Sequence, residues 1–420
     1  MKTQKSHFFP VTALVAAAVL VQVACRPETV GGGPAAEARR IHDRVLTVDT
    51  HCDTAMRLPG SDWDLGVRHE PGQRASGKID LPRMAEGGLD AEFFAVFVGQ
   101  AERNQQGYVR AREWALKTLD ALHATIDKYP NLVGLALTPA DAYRLETEGR
   151  RAAFIGLENG YAVGRNLANL EEYYKLGVRY VTLCHSRDND ICDSSTDRQD
   201  PEDRGLSDFG REVVAACNRL GMMVDISHAS DRSFYDVLKV SRAPVIASHS
   251  SCRALAASPR NLTDEMIRAL AAKGGVVQIC FLSNYVRAPQ PNPEREKALQ
   301  ELQAKYGARR DIQDEALRRK AREEYEALNA KYPEEKATLR ELVDHIEHVI
   351  KLVGVDYVGI GTDFDGGGGV LGCDDVSEMY RVTEELVRRG RTEEEIAKIW
   401  GGNIMRVFGE IISASQQAGR

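Results

Sequence analysis

Seven residues of this chain stand out as able to bind a metal ion or move a proton, and each closes a short apolar run: His51, Asp53, Glu158, His185, His228, His249 and Asp363. His51 and Asp53 lie two positions apart, and an extended backbone turns such a pair to the same side. A His-x-Asp pair can chelate, although that spacing also arises by chance. Four of the ten histidines fall at the ends of apolar runs. His345 and His348 do not; they lie three apart on an amphipathic stretch and read as a helix face. His7, His42, His69 and His123 have no comparable neighbours. One such histidine is usually a hydrogen-bonded structural residue. Four of them together with three carboxylates make the pattern of a metal site.

Ligand type narrows the metal. Imidazole and carboxylate without thiolate suit zinc, with manganese and iron as alternatives. A catalytic zinc takes three protein ligands and keeps an open position. His51, Asp53, Glu158, His228 and His249 make five, enough for two ions that share a carboxylate. Paired ions of this kind activate water, so the chemistry expected is hydrolysis.

The elements that must position these residues follow from hydrophobic patterning. Eight strands are predicted at 45–49, 91–98, 152–158, 178–184, 223–227, 244–248, 276–281 and 357–362, apolar as strands covered on both faces are. Helices are predicted at 108–128, 169–176, 208–220, 231–240, 264–273, 339–353 and 376–389, with Gly221, Gly274 and Gly390 at C-cap positions. Thr392-Glu-Glu-Glu395 opens a last helix that reaches Ile411. Strands alternating with helices in this number predict a (β/α)8 TIM-type barrel, with a doubly wound open sheet as the alternative. Barrel chemistry sits at the C-terminal ends of strands, where six of these eight runs end in an ionisable residue. Two segments exceed a minimal barrel. Residues 132–150 add a short strand and helix. Residues 287–336 open with Pro289, Pro291 and Pro293, then carry 12 basic and 11 acidic residues, which predicts a charged, solvated helical insertion. Gly366 to Gly369 lacks the Lys and Ser/Thr of a phosphate loop and reads as a flexible loop.

The remainder of the chain sets its surroundings. The 420 residues are 43% hydrophobic and 28% charged, a globular composition, and the net charge is −7 without a basic stripe. That excludes nucleic acid as a natural partner and favours a small molecule. Residues 1–25 read as an export signal: Lys2 and Lys5 precede an apolar stretch too short to span a membrane. It ends in Val23-Ala24-Cys25, similar to the cleavage site of bacterial lipoproteins, with Gln22 where leucine is usual. The expectation is an exported envelope protein that meets the membrane only through a lipid on Cys25, with plain secretion as the alternative. A flexible tether is expected over 26–40, the barrel over 41–412 and a polar tail over 413–420. The seven other cysteines are odd in number and contain no CxxC pair; a Cys184–Cys192 bridge stays open in an oxidising compartment.

Seven short motifs run in order along the chain: Asp49-Thr-His-Cys-Asp53, Ile155-Gly-Leu-Glu158, Leu183-Cys-His-Ser186, Asp225-Ile-Ser-His228, Ala247-Ser-His-Ser-Ser251, Ser258-Pro-Arg-Asn261 and Gly361-Thr-Asp-Phe-Asp-Gly366. Together they resemble the membrane (renal) dipeptidase family, binuclear zinc enzymes among the amidohydrolase-like barrels, from about residue 45 to 408. The resemblance implies two zinc ions, one on His51 and Asp53, the other on His228 and His249, with Glu158 bridging. It implies a bridging hydroxide, with Asp363 as the proton shuttle and Asp365 as a second candidate for that role. It gives His185 the scissile carbonyl oxygen, and Arg260 with Tyr285 the substrate's terminal carboxylate. A dipeptide, L,L or L,D, is the implied substrate, and a homodimer the implied assembly. The C-terminus lacks the hydrophobic tail of the mammalian anchor signal, and Arg187 stands where those members have a cysteine. Two other readings use the same residues. A lactonase or phosphotriesterase-like hydrolase on this barrel would not need Arg260, and a non-catalytic peptide-binding lipoprotein would have no use for Asp363.

Overall fold

Strands buried at almost every position need cover on both faces, and these have it. In the computed structural model, which describes residues 33–197, 199–200, 202–307, 314–333 and 335–418, the frame is a parallel sheet. Its strands are β1 (Val48–Cys52), β2 (Ala91–Phe97), β3 (Val133–Leu135), β4 (Arg151–Glu158), β5 (Val178–Thr182), β6 (Met223–Asp225), β7 (Ile246–Ser250), β8 (Val276–Cys280) and β9 (Val358–Gly361). Eight of them follow one another as β1-β2-β4-β5-β6-β7-β8-β9. The extra strand β3 lies along the start of β4, pairing Val133 with Arg151, and β5 takes over that edge from Ile155. The two ends of the sheet then meet. The Asp363 N–H donates to the His51 carbonyl at 2.9 Å, and the Asp53 N–H to the Phe364 carbonyl at 2.8 Å. This is the predicted (β/α)8 barrel, and the open sheet is excluded.

Position within the strands decides what each end of the barrel is made of. Residues early in the strands, among them Val48, Phe93, Phe154, Met223 and Ile246, form one apolar cluster with Ile404, Phe408 and Ile411. These last three belong to the C-terminal helix Asn403–Ala418, which plugs the N-terminal end of the barrel. Phe93 stacks on Phe154 with centroids 4.4 Å apart, and Phe408 meets Phe154 edge-on at 6.1 Å. The opposite end is left for polar residues.

Several boundaries differ from those expected. Strand β1 runs Val48–Cys52, three residues later than predicted, because Thr47 is engaged before the strand by Asp90 and the Gly88 carbonyl. The expected tether boundary at 40 falls inside a helix, Pro34–His42. Pro34 starts it, and Ala38, Ile41 and His42 bury one face, with His42 Nδ1 at 2.8 Å from the Thr383 hydroxyl. The expected polar tail is likewise helical as far as Ala418. The charged segment 287–336 holds two helices, Pro293–Tyr306 and Glu315–Lys331, capped by Asn292 and Asp314 and bridged by Lys305 and Glu324 at 2.6 Å. Its own core is small, with Tyr306 and Ala321 packed beside Leu302. The cysteines at 52, 184, 192, 217, 252, 280 and 373 are all free and buried, so the 184–192 bridge is not formed. Among the described residues no helix is long and apolar enough to cross a membrane. The proposed export signal, residues 1–25, lies outside the described residues.

Candidate active site

All seven strand-end residues converge at the C-terminal end of the barrel. Their ligand atoms fall into three overlapping trios, each within 4.8 Å: His51 with Glu158 and His249, Glu158 with His185 and His228, and His51 with Asp53 and Asp363. Glu158 is the hub. Its Oε1 lies 3.2 Å from His228 Nε2, 3.6 Å from His249 Nε2 and 3.7 Å from His185 Nε2, while its Oε2 lies 3.6 Å from His51 Nε2. Most of these distances are too long for hydrogen bonds and suit groups gathered around a cation. His51 Nε2 and Asp53 Oδ1 are buried with no hydrogen-bond partner. His228 Nε2 and His249 Nε2 face each other at 2.9 Å. The donor set therefore fits divalent metal: imidazole nitrogens and carboxylate oxygens, no thiolate, and lone pairs with nothing else to bind.

The electrostatics agree. Burial, then the positive Arg260 and the neighbouring histidines, pushes His228 well below the usual imidazole range; burial and the same kinds of neighbour do so for His249. Both rings are neutral and able to ligate. Burial raises Glu158 to about 8, and burial together with Glu158 raises Asp363 to about 7. Asp53 is driven well above the carboxylate range by burial and by Glu158. Carboxyls crowded in this way hold protons that a bound cation would displace.

Neighbouring side chains aim the ligands. His51 Nδ1 lies 2.8 Å from the Tyr180 hydroxyl, which directs Nε2 into the cluster. Tyr180 reaches this place because residue 156 is glycine: a Cβ there would lie 2.0 Å from its ring. His249 Nδ1 lies 2.8 Å from Ser248 Oγ, whose hydroxyl donates to Asp225 Oδ2 at 2.6 Å. Asp225 is fully buried and also accepts the Thr182 hydroxyl and the Ser227 and Ser248 N–H groups, which locks β5, β6 and β7 together. Backbone strain is concentrated here as well. Asn159, His228, Asp363 and Asp365 have φ of 79, 72, 60 and 68°, the left-handed region that favours glycine.

Above the cluster lies a cavity of about 200 Å³, lined by Glu158, His185, His228, Asp363, Arg260 and Tyr285 among others. His185 is the most exposed histidine of the group, its ring held against Phe97 at 4.8 Å and His228 at 4.2 Å. Arg260 is 3% exposed; it donates from Nη2 to the His249 carbonyl at 3.1 Å, keeps a buried Nε without a partner, and lies 5.2 Å from the Tyr285 ring centroid. Asp365, the second candidate shuttle, is occupied. It accepts the Thr54 hydroxyl, Arg57 Nη2 and the Lys78 N–H, and so ties the 54–78 segment to the end of β9.

A sequence model of the membrane dipeptidase family, peptidase family M19, matches residues 35–419. The chain belongs to the membrane dipeptidase family. Dipeptidase ataJ of Aspergillus terreus is 30% identical over 408 residues, covering 91% of this chain and 88% of the relative. The crystal structure of the probable dipeptidase PvdM from Pseudomonas aeruginosa superposes with a TM-score of 0.79 at 31% identity, over 91% of this chain and 99% of that one. A metallo peptidase from Rhodobacter sphaeroides, liganded with a phosphinate mimic of the dipeptide L-Ala-D-Ala, shares the fold with a TM-score of 0.69 at 23% identity, over 87% and 99%.

Some residues of this dipeptidase's site are not evident from its sequence. The glycine run expected to be slack is a wound turn: the N–H groups of Gly366, Gly367 and Gly368 all point to the Asp363 carbonyl, at 2.7 to 3.1 Å. A Cβ on Gly366 would stand 2.0 Å from Asp53 Oδ2 and 2.1 Å from Asp363 Oδ1, so the glycine is what allows the two carboxyls to approach. Tyr180, Ser248 and Asp225 sit inside strands, where they read as core. Only the Asp of Asp225-Ile-Ser-His228, too polar for a buried strand, gives a signal.

Proposed function

We propose that this chain hydrolyses the peptide bond of free dipeptides, with either an L or a D residue second, using two zinc ions held by His51, Asp53, Glu158, His228 and His249, with Glu158 between them. The observation that carries the reading is that a metal-type donor cluster and Arg260 line one cavity of only about 200 Å³. That volume is below the roughly 300–1,000 Å³ of sites for drug-sized ligands, so the substrate is small. Bound ions there would acidify a water molecule and polarise the scissile carbonyl. The Arg260 guanidinium, buried and with an unused Nε–H, fits a substrate carboxylate and would fix the C-terminal end beside Tyr285. His185, on the cavity wall, would donate to the carbonyl oxygen as negative charge develops on it. Asp363, on the cavity wall, would take a proton from the attacking water and return it to the leaving amine. The D residue is favoured by the L-Ala-D-Ala mimic bound by the Rhodobacter relative.

The test is amine release from L,L- and L,D-dipeptides, each beside its N-blocked and C-amidated form, by the mature chain with and without chelator. Turnover of free dipeptides alone, lost with chelator and largely lost in Arg260→Ala, is expected. Full turnover by Arg260→Ala would sink the dipeptide reading in favour of a hydrolase that needs no carboxylate. Export and lipidation at Cys25 belong to the same proposal and rest on the pattern of residues 1–25. Intact-mass analysis of membrane-fraction protein, beside Cys25→Ala, should show an acyl mass only in the parent; masses that differ by the substitution alone would leave plain secretion.

A further inference from the structure

Arg260 and Tyr285 come from different strand-end segments, so their spacing depends on what holds those segments together. Ser251 and Cys252 follow β7, while Tyr285 and Val286 lie on the short helix Ser283–Val286 that follows β8. Two side chains span the gap in parallel. Asn261 accepts the Ser251 N–H on Oδ1 at 3.2 Å and donates from Nδ2 to the Tyr285 carbonyl at 2.8 Å. One residue further along both segments, His345 Nδ1 receives the Cys252 N–H at 3.0 Å and Nε2 lies 2.9 Å from the Val286 carbonyl. An imidazole that accepts at Nδ1 carries its proton at Nε2, so these partners fix one neutral tautomer. Two consecutive N–H groups are thereby joined to two consecutive carbonyls through side chains. Both bridging residues are 0% exposed, so losing either one leaves backbone groups buried without partners. Asn261 also donates to the Ala256 carbonyl at 2.9 Å, which anchors the loop that presents Arg260.

We propose that His345 and Asn261 are positioning residues, a double bracket that sets the Arg260–Tyr285 clamp at its distance from His249 and the metal-binding cluster. Neither lines the cavity. Their effect is on where the substrate's carboxylate end sits relative to the bond that breaks. This rests on the reading of Arg260 as the carboxylate clamp. His345 comes from the helix Leu339–Val353, so this helix, remote in sequence, helps to define the substrate end of the site.

The experiment compares His345→Leu, His345→Gln and Asn261→Asp with the parent chain, all zinc-loaded. Leucine keeps bulk and loses both hydrogen bonds; glutamine can supply one acceptor and one donor. Measured are KM and kcat for a free dipeptide, zinc content, and deuterium exchange over 283–292. In His345→Leu, KM for the free dipeptide should rise about 10-fold or more while kcat falls about 3-fold or less, with zinc content unchanged. Exchange over 283–292 should quicken, and glutamine should restore each value towards the parent. A KM within about 2-fold of the parent, or a loss of kcat and zinc at constant KM, would overturn the bracket. If His345→Leu does not fold, Asn261→Asp decides by the same criteria, since it keeps the Ser251 acceptor and loses the donor to the Tyr285 and Ala256 carbonyls. A parent chain that cleaves no dipeptide would defeat the proposed function instead, and the exchange measurement would still judge the bracket.

Discussion

The two ends of this barrel are built from opposite materials. At the N-terminal end, Phe93, Phe154 and Phe408 interlock, and the C-terminal helix closes the opening with Ile404, Phe408 and Ile411. At the C-terminal end, carboxyls crowd one another, buried ligand atoms lack partners, and four non-glycine residues take left-handed backbone. The first end gains stability from burial; the second gives it up to hold reactive groups close together. The contrast teaches that stability and reactivity can be separated along one set of strands, within a few residues of each other.

Replacing one residue at each end should break the comparison into its parts. Glu158→Gln removes the hub of the ligand cluster and should lower kcat/KM by about 10³-fold or more and empty the metal site, as elemental analysis will read. The melting temperature of its metal-free form should be no lower than that of the metal-free parent, because glutamine replaces a carboxyl that must take up a proton to be buried. Phe408→Ala should do the reverse, costing about 3–5 kcal/mol in denaturant unfolding while kcat/KM of the folded fraction stays within about 3-fold.

A third measurement sharpens the contrast through pH. Glu158, at about 8, and Asp363, at about 7, keep protons in the native metal-free state that the unfolded chain releases near pH 4. The native state therefore binds more protons between these values, and stability falls as pH rises through the window. Below about pH 6.5 the buried His228 and His249, neutral when folded and protonated when unfolded, oppose this trend. Above it the metal-free chain should lose on the order of 1 kcal/mol or more up to about pH 8, and Asp363→Asn should flatten that slope. An unchanged slope in the variant would place the titration elsewhere. The smallest effect belongs to neither end. Lys305→Ala, which breaks an exposed pair with Glu324 on the insertion, should change stability by less than about 0.5 kcal/mol and leave kinetics untouched.

The barrel was legible because its strands are covered on both faces, which leaves apolar runs, and because an ionisable residue at the end of such a run has few structural reasons to be there. His51, Asp53, Glu158, His185, His228, His249 and Asp363 could be picked out on that ground alone. What could not be read were residues whose roles depend on who stands opposite. Tyr180 looks like a core aromatic until Gly156 is seen to make room for it. Gly366 looks like slack until two carboxyls are found on either side of the missing Cβ. His345 reads as a helix face because its partners, Cys252 and Val286, are distant in sequence. The ends of the domain were misjudged for a different reason. Helices such as Pro34–His42 and Asn403–Ala418 bury only one stripe, so their polar faces resemble tether and tail.

The seam between β1 and β9 also governs timing. His51 and Asp53 are made early in synthesis, yet the backbone bonds that hold them come from Asp363 and Phe364. A growing chain thus exposes its first ligands long before they have a frame, and the centre is completed only when the last strand docks. A complete ligand set therefore exists only after that step, so the metal supply of the compartment in which folding ends would share with ligand chemistry the choice of ion.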